Sequence, residues 1–255
     1  MPYALNNRVR IHYHVEGHGP ALLMMHGWSD SLEDWHDHGY VDAMKSSYQM
    51  IVVDARGHGR SDKPHAPEAY AMDTMVSDML AVLDQLGIDQ TAYMGHSMGA
   101  RMGYSLASIA PERITAFILG SSVPDNDRPY RYHRRARRLG YGMERYLAGV
   151  ESRYGRMEPE DHRERFLAND ALALSALTIA IGNSPGLESL LPNIDTPVLI
   201  YAGSEDLIHP YAQKAAESGP TASFVSLTGL DHDAAFKRSD IVVPYFENFL
   251  ASAGQ

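Results

Sequence analysis

The chain has 255 residues, a length that supports one substantial core and, in α/β proteins, commonly one domain with an inserted lobe. Its 44% hydrophobic and 21% charged residues suit a soluble globular protein and exclude a fibre or a disordered tail, while the absence of cysteine excludes disulfides, thiolate nucleophiles and thiolate metal sites. A net charge of −10 would repel a phosphate backbone over most of the surface, so nucleic acid is not an expected partner.

Met1 to Pro20 is mixed polar, without the basic start and apolar run of a secretory signal, and no stretch approaches the roughly 18 apolar residues of a membrane span. The expectation is a cytoplasmic protein with no membrane partner; self-association is left open. Arg8 to Glu16 alternates apolar and polar residues and ends at Gly17 to Pro20, which predicts a half-exposed strand and a turn. Ala21 to Met25, Met50 to Val53 and Ala92 to Met94 are short continuous apolar runs, the pattern of parallel strands buried on both faces, and each stops at a polar or Gly-containing loop. From Met72 the apolar positions Met75, Val76, Met79, Leu80, Leu83 and Leu86 keep helical spacing, with Asp73 as N-cap and Gly87 as the stop. A helix is predicted from Ser97 to Ala110, before the breaker Pro111, and strands at Ile114 to Leu119, Pro197 to Tyr201 and Phe224 to Leu227 precede a closing helix at Ile241 to Leu250. Between about Pro124 and Leu191 the alternation gives way to helical pattern with no strand-like run. The predicted class is therefore α/β, a mostly parallel central sheet with helices on both faces and an inserted helical cap, with 1–123 and 192–255 as core and 124–191 as cap.

Gly95-His96-Ser97-Met98-Gly99 matches G-x-S-x-G between a buried strand and a helix. A serine on a tight strand-to-helix turn projects its hydroxyl above the sheet, and glycines two residues to either side allow the close backbone packing that such a turn needs. The NH of Met98 then lies at a helix N-terminus, ready to bind an oxyanion, and a second donor is expected from the loop after an earlier strand, where Trp28 of His26-Gly27-Trp28 supplies its backbone NH. His26 itself is read as bracing that loop. The general base is sought late in the chain, after the final strand: His232 fits, whereas His209 follows no strand directly. Asp206, in Gly203-Ser204-Glu205-Asp206, follows the preceding strand and supplies the orienting carboxylate, giving the chain order Ser97, Asp206, His232.

Through His26-Gly27, Asp54-x-Arg56-Gly57-x-Gly59-x-Ser61, the Ser97 turn, Gly203-x-x-Asp206 and His232, the sequence resembles the α/β-hydrolase superfamily over essentially its whole length. The resemblance implies a serine hydrolase without cofactor acting on a small-molecule carboxylic ester or lactone, and a structural role for the loop from Asp54 to Asp62. It also admits carbon–carbon bond hydrolases, enol-lactonases and ligand sensors that keep the triad. Haloalkane dehalogenases and epoxide hydrolases are similar too but place aspartate at the nucleophile, so Ser97 argues against both. Members of the superfamily usually have a small residue before the catalytic histidine, whereas here Asp231 and Asp233 flank His232 and would favour its protonated form.

Three further features are weighed. His12 and His14 share one face of a strand, but no third ligand is evident and no metal is assigned; His36-Asp37-His38 reads as a surface run. Six arginines and no acid lie between Arg128 and Arg138, which leaves −16 on the rest once their positive charges are subtracted from −10. That run is either the solvated face of a cap helix or a patch that draws anionic substrates, an attraction that salt would weaken.

Overall fold

The apolar runs form the middle of an eight-stranded sheet in the order β1-β2-β4-β3-β5-β6-β7-β8. In the computed structural model, which describes residues 2–125, 129–154 and 160–253, the chain runs β1 (Tyr3–Asn6), β2 (Val9–Glu16), β3 (Ala21–Met25), α1 (Glu33–Asp37), α2 (Tyr40–Met44), β4 (Gln49–Val53), α3 (Met72–Leu86), β5 (Thr91–His96), α4 (Met98–Ile109) and β6 (Ile114–Gly120). Then follow α5 (Pro129–Leu139), α6 (Met143–Tyr154), α7 (Glu160–Leu167), α8 (Ala171–Asn183), β7 (Val198–Gly203), α9 (His209–Glu217), β8 (Ala222–Leu227), α10 (His232–Lys237) and α11 (Ser239–Ala253). The strands from β4 to β8 along the sheet pair in parallel, and β1 and β2 join antiparallel at one edge.

Because side chains on a strand alternate between faces, the unbroken apolar runs feed two layers at once. Leu23, Met25, Ile51 and Val53 pack with Met75 and Met79 of α3, Tyr104 of α4 and Leu177 of α8. Leu22, Met24, Met50 and Val52 face the opposite way, onto Trp35 of α1, Val41 of α2 and Phe246 of α11. Each such side chain contributes ~1.5–3 kcal/mol by leaving water.

The helix predicted from Met72 ends as expected, with Gly87 at φ 66°. Its start differs: the cap position is Ala71, and Asp73 accepts from the Thr74 NH instead of closing the first turn. The closing helix begins earlier than expected, at Ser239, and its Pro244 is inside it. Four helices, α5 to α8, fill the stretch between β6 and β7 among the described residues, and Asp170 caps α8 by accepting from the NH groups of Leu172 and Ala173. Arg131, Arg134, Arg135, Arg137 and Arg138 lie exposed on α5, while Arg128 is outside the described residues. Among the described residues no helix is long and apolar enough to cross a membrane.

Candidate active site

Ser97 sits between β5 and α4 with φ 53° and ψ −108°, a conformation that non-glycine residues rarely hold unless the surroundings enforce it. The enforcement is visible on both sides. A Cβ on Gly95 would stand 2.4 Å from the backbone of Gly99, and one on Gly99 would stand 2.1 Å from the carbonyl oxygen of Met25, so the turn closes only with glycine at both positions. The Ser97 NH donates to the Gly120 carbonyl at 2.8 Å, which fixes the turn to the neighbouring strand.

Two further loops converge on it. The loop after β7 carries Asp206, which is buried while its neighbour Glu205 is exposed. His232 is the first residue of α10, a short helix that the sequence pattern read as loop, and Asp231 is its N-cap, accepting from the Ala234 NH at 2.8 Å. His232 Nε2 lies 3.0 Å from Ser97 Oγ, and His232 Nδ1 lies 2.8 Å from Asp206 Oδ2. Since a carboxylate can only accept, the ring proton belongs on Nδ1, leaving Nε2 to accept from the serine hydroxyl. The other oxygen of Asp206 accepts from the Ile208 NH at 3.0 Å.

Burial alone would lower the His232 pKa. The hydrogen bond to Asp206 and the negative charges of Asp206, Asp233 and Asp30 outweigh it and raise the value above 6.5. Burial would raise that of Asp206, but the hydrogen bond and charge of His232 and the Ile208 NH hold it below the usual carboxylate range. The contribution of Asp233 is the one expected of a flanking acid, while Asp231 is committed to capping.

Two segments expected to supply oxyanion donors lie next to Ser97. Met98 opens α4, where a helix leaves its first NH groups without an intrahelical acceptor. Gly27 faces Ser97 closely enough that a Cβ on it would stand 3.6 Å from the serine Cβ, which places the Gly27-Trp28 segment beside the nucleophile position. His26 braces this segment from beneath, with Nδ1 2.8 Å from the Gly27 carbonyl and Nε2 accepting from the Ala55 NH at 3.1 Å.

The Trp28 indole reaches all four helices between β6 and β7. Its Nε1 donates to Thr178 of α8 at 3.1 Å, the Arg135 guanidinium of α5 lies 4.8 Å above its ring, and Tyr146 of α6 and Phe166 of α7 lie 5.7 and 6.3 Å away. Asn169 donates to the Ser29 carbonyl at 2.9 Å and adds a second tie between these helices and the same loop. Below the loop, Leu32 NH and Arg60 NH donate to Asp54, and His12 Nδ1 lies 2.7 Å from it. Although burial would raise the Asp54 pKa, the His12 bond and these NH groups hold it down at about 2. The loop from Asp54 to Asp62 is thus an anchor.

A cavity of about 230 Å³ lies between the loop after Trp28 and α7, with Asp34, Arg60, Arg165, Phe166 and Asn169 among its lining residues.

Two neighbours of the site carried no signal in the sequence pattern. His96 stacks on Phe236 with ring centres 4.8 Å apart, places its ring 5.2 Å from that of His232, and has Nδ1 3.1 Å from the Tyr201 hydroxyl. Burial pushes its pKa well below that of a free histidine, so it backs the His232 ring as a neutral group. Asp30 is held above the usual carboxylate range by burial and by the charges of Asp34 and Asp233. The rejected base His209 lies on α9 against Ser226.

Comparison with known proteins agrees with this architecture. A family model described as alpha/beta hydrolase fold matches residues 20–150. A putative 2-succinyl-6-hydroxy-2,4-cyclohexadiene-1-carboxylate synthase of Bacillus subtilis is 32% identical over 219 residues, spanning 77% of this chain and 78% of its own length. Epoxide hydrolase B of Mycobacterium tuberculosis is 34% identical over 106 residues, only 42% of this chain and 29% of the relative. Among solved structures, the enol-lactonase from Burkholderia xenovorans superimposes with a TM-score of 0.84 at 24% identity, covering 98% of this chain and 100% of that one. A thermophilic esterase from Thermogutta terrifontis does so with a TM-score of 0.86 at 19% identity, covering 100% and 99%.

Proposed function

The chain belongs to the alpha/beta hydrolase fold family, and from that premise we propose that it hydrolyses a small carboxylic ester or lactone through Ser97, His232 and Asp206. The observation that carries the reading is the continuous relay from Ser97 Oγ through His232 to Asp206, at 3.0 and 2.8 Å. In this reading Ser97 attacks the acyl carbonyl while His232 takes its proton. Asp206 holds the imidazole in the working tautomer and offsets the charge it gains, and the Met98 and Trp28 NH groups bind the oxyanion. The alcohol leaves with the proton from His232, and water then releases the acid by the same steps in reverse. Residues 1–123 and 192–255 form the catalytic core and 124–191 the cap that selects substrate, with Trp28 as the point where cap and oxyanion loop meet.

A second reading keeps the triad and changes the bond, to carbon–carbon cleavage or enol-lactone opening. What favours it is the carboxylate synthase relative and the exposed arginines of α5, with Arg135 over Trp28, which suit a substrate bearing a carboxylate. The epoxide hydrolases match only in part, and Ser97 stands where such enzymes need a carboxylate nucleophile.

Treatment with a fluorophosphonate followed by a panel of neutral esters, carboxylate-bearing esters and lactones tests the proposal. A single adduct on Ser97 with turnover on esters or lactones is the expected result. An adduct without turnover on any of them, alongside retained ligand binding, would indicate a sensor.

The proton-accepting role of His232 predicts a pH profile. The base works only when neutral, and its pKa lies above 6.5, so kcat/KM should rise through an acid limb centred above that value. Asp233→Asn removes one of the charges that stabilise the imidazolium and should move the limb to lower pH. An unmoved limb in that variant would show that Asp233 does not act on His232.

A further inference from the structure

The sequence pairs His12 with His14, and the fold keeps their rings 4.9 Å apart but gives them different partners. His12 is fully buried and its Nδ1 is committed to Asp54, whereas His14 and Glu16, two residues apart on the same face of β2, lie half-buried nearer the end of the strand. His36 arrives over them from α1. Its Nε2 is 3.6 Å from Glu16 Oε1, and one ligand atom from each of His14, Glu16 and His36 lies within 4.8 Å of the other two.

We propose that His14, Glu16 and His36 form a structural site for a zinc-class divalent cation that ties β2 to α1. Two imidazole nitrogens and one carboxylate oxygen are a ligand set suited to such an ion, with water completing a tetrahedron. At metal–ligand distances of ~2.0–2.1 Å neighbouring ligand atoms stand about 3.4 Å apart, so the His36–Glu16 pair is already near its bound spacing. The remaining closure falls on side chains that are not locked in the core. His36 Nε2 is also a buried ring nitrogen with no hydrogen-bond partner, and a group of that kind calls for an occupant. Burial, with His12 and His36 close by, lowers the His14 pKa, which favours the neutral ring that a cation needs. Glu33 places further negative charge near His14.

The site has a mechanical consequence. Helix α1 begins five residues after Trp28, and Leu32, just before it, is already pinned from the other side by Asp54. An ion on His36 would fasten the far end of the same segment and stiffen the loop that carries Trp28.

The test is titration of the untagged, EDTA-treated full chain with zinc chloride by calorimetry, with thermal unfolding measured alongside. One ion per chain is expected, together with a rise in Tm, because a ligand bound only by the folded state stabilises it. Glu16→Gln and His36→Ala should each lower affinity at least tenfold, given that even outer partners of a metal site are worth ~10–100-fold. His18→Gln and His133→Gln, which change exposed histidines elsewhere, should leave both affinity and the Tm rise as they were. No binding to the unaltered chain, or affinity unchanged in Glu16→Gln and His36→Ala, would overturn the proposal. So would loss of binding in His232→Ala with binding intact in those two variants, since the ion would then be at the triad.

Discussion

Ser97→Ala is expected to abolish nearly all hydrolysis of a short p-nitrophenyl ester, a loss on the order of 10⁶-fold in kcat, while the protein stays folded. The size follows from what is removed. In the proposed reading His232 and the Met98 and Trp28 NH groups serve an oxygen nucleophile, and without Oγ they can only polarise a carbonyl that water must then attack unaided. Folding should survive because the Ser97 side chain bonds to His232 and does not hold the turn. The turn is held by the Ser97 NH on Gly120 and by the glycines at 95 and 99. Unfolding temperature and circular dichroism should therefore match the unaltered chain, and the fluorophosphonate adduct should disappear with the activity. Activity retained within about tenfold would sink the assignment of Ser97 as nucleophile.

How much of this was legible before the structure depends on the range of the interactions. The buried parallel strands announce themselves because both faces of each strand are covered, so every residue of Ala21 to Met25 or Met50 to Val53 must be apolar. The serine turn is legible for a local reason, since backbone contacts at Gly95 and Gly99 exclude any side chain. Short elements leave no such trace. Helices α1, α2 and α10 span five or six residues, under two turns, too few for a helical period to emerge, and β1 is a four-residue edge strand. Asp73 looks like a cap by type, but the chain enters α3 from Ala71 and gives it no donor two or three residues ahead.

What is least legible depends on tertiary proximity. His36 reads as a member of a surface run, and only the packing of α1 on β2 sets it beside Glu16. His38 of the same run lies against Phe236, and Asp37 pairs with Arg165 of α7. Nothing in the pattern says that Trp28, singled out for its backbone NH, would have its indole in contact with four separate helices.

Asp206→Asn should be the one severe change among four carboxylates near the base, costing roughly 10⁴-fold in kcat, while Glu205→Gln, Asp231→Asn and Asp233→Asn should cost little. Asp206 is buried, and its Oδ2 meets His232 Nδ1 at 2.8 Å while Oδ1 is held by the Ile208 NH, so the carboxylate is aimed and cannot turn away. An amide in that place keeps the shape but loses the charge that balances the imidazolium. Its NH₂ can also drive the ring proton onto Nε2, where it faces Ser97 and blocks proton abstraction. The other three acids have different occupations. Glu205 is exposed, with its backbone NH bonded to the Leu230 carbonyl. Asp231 caps α10, a task that asparagine performs about as well. Asp233 acts on His232 only through its charge, so its removal should shift the pH at which the base becomes neutral and leave the plateau rate above that limb nearly unchanged. Measuring kcat for all four variants at a pH above the acid limb separates these roles. If Asp206→Asn is mild and one of the others is severe, Asp206 does not orient the base, which then takes its partner from Glu205 beside it or from Asp231 or Asp233 at the start of α10.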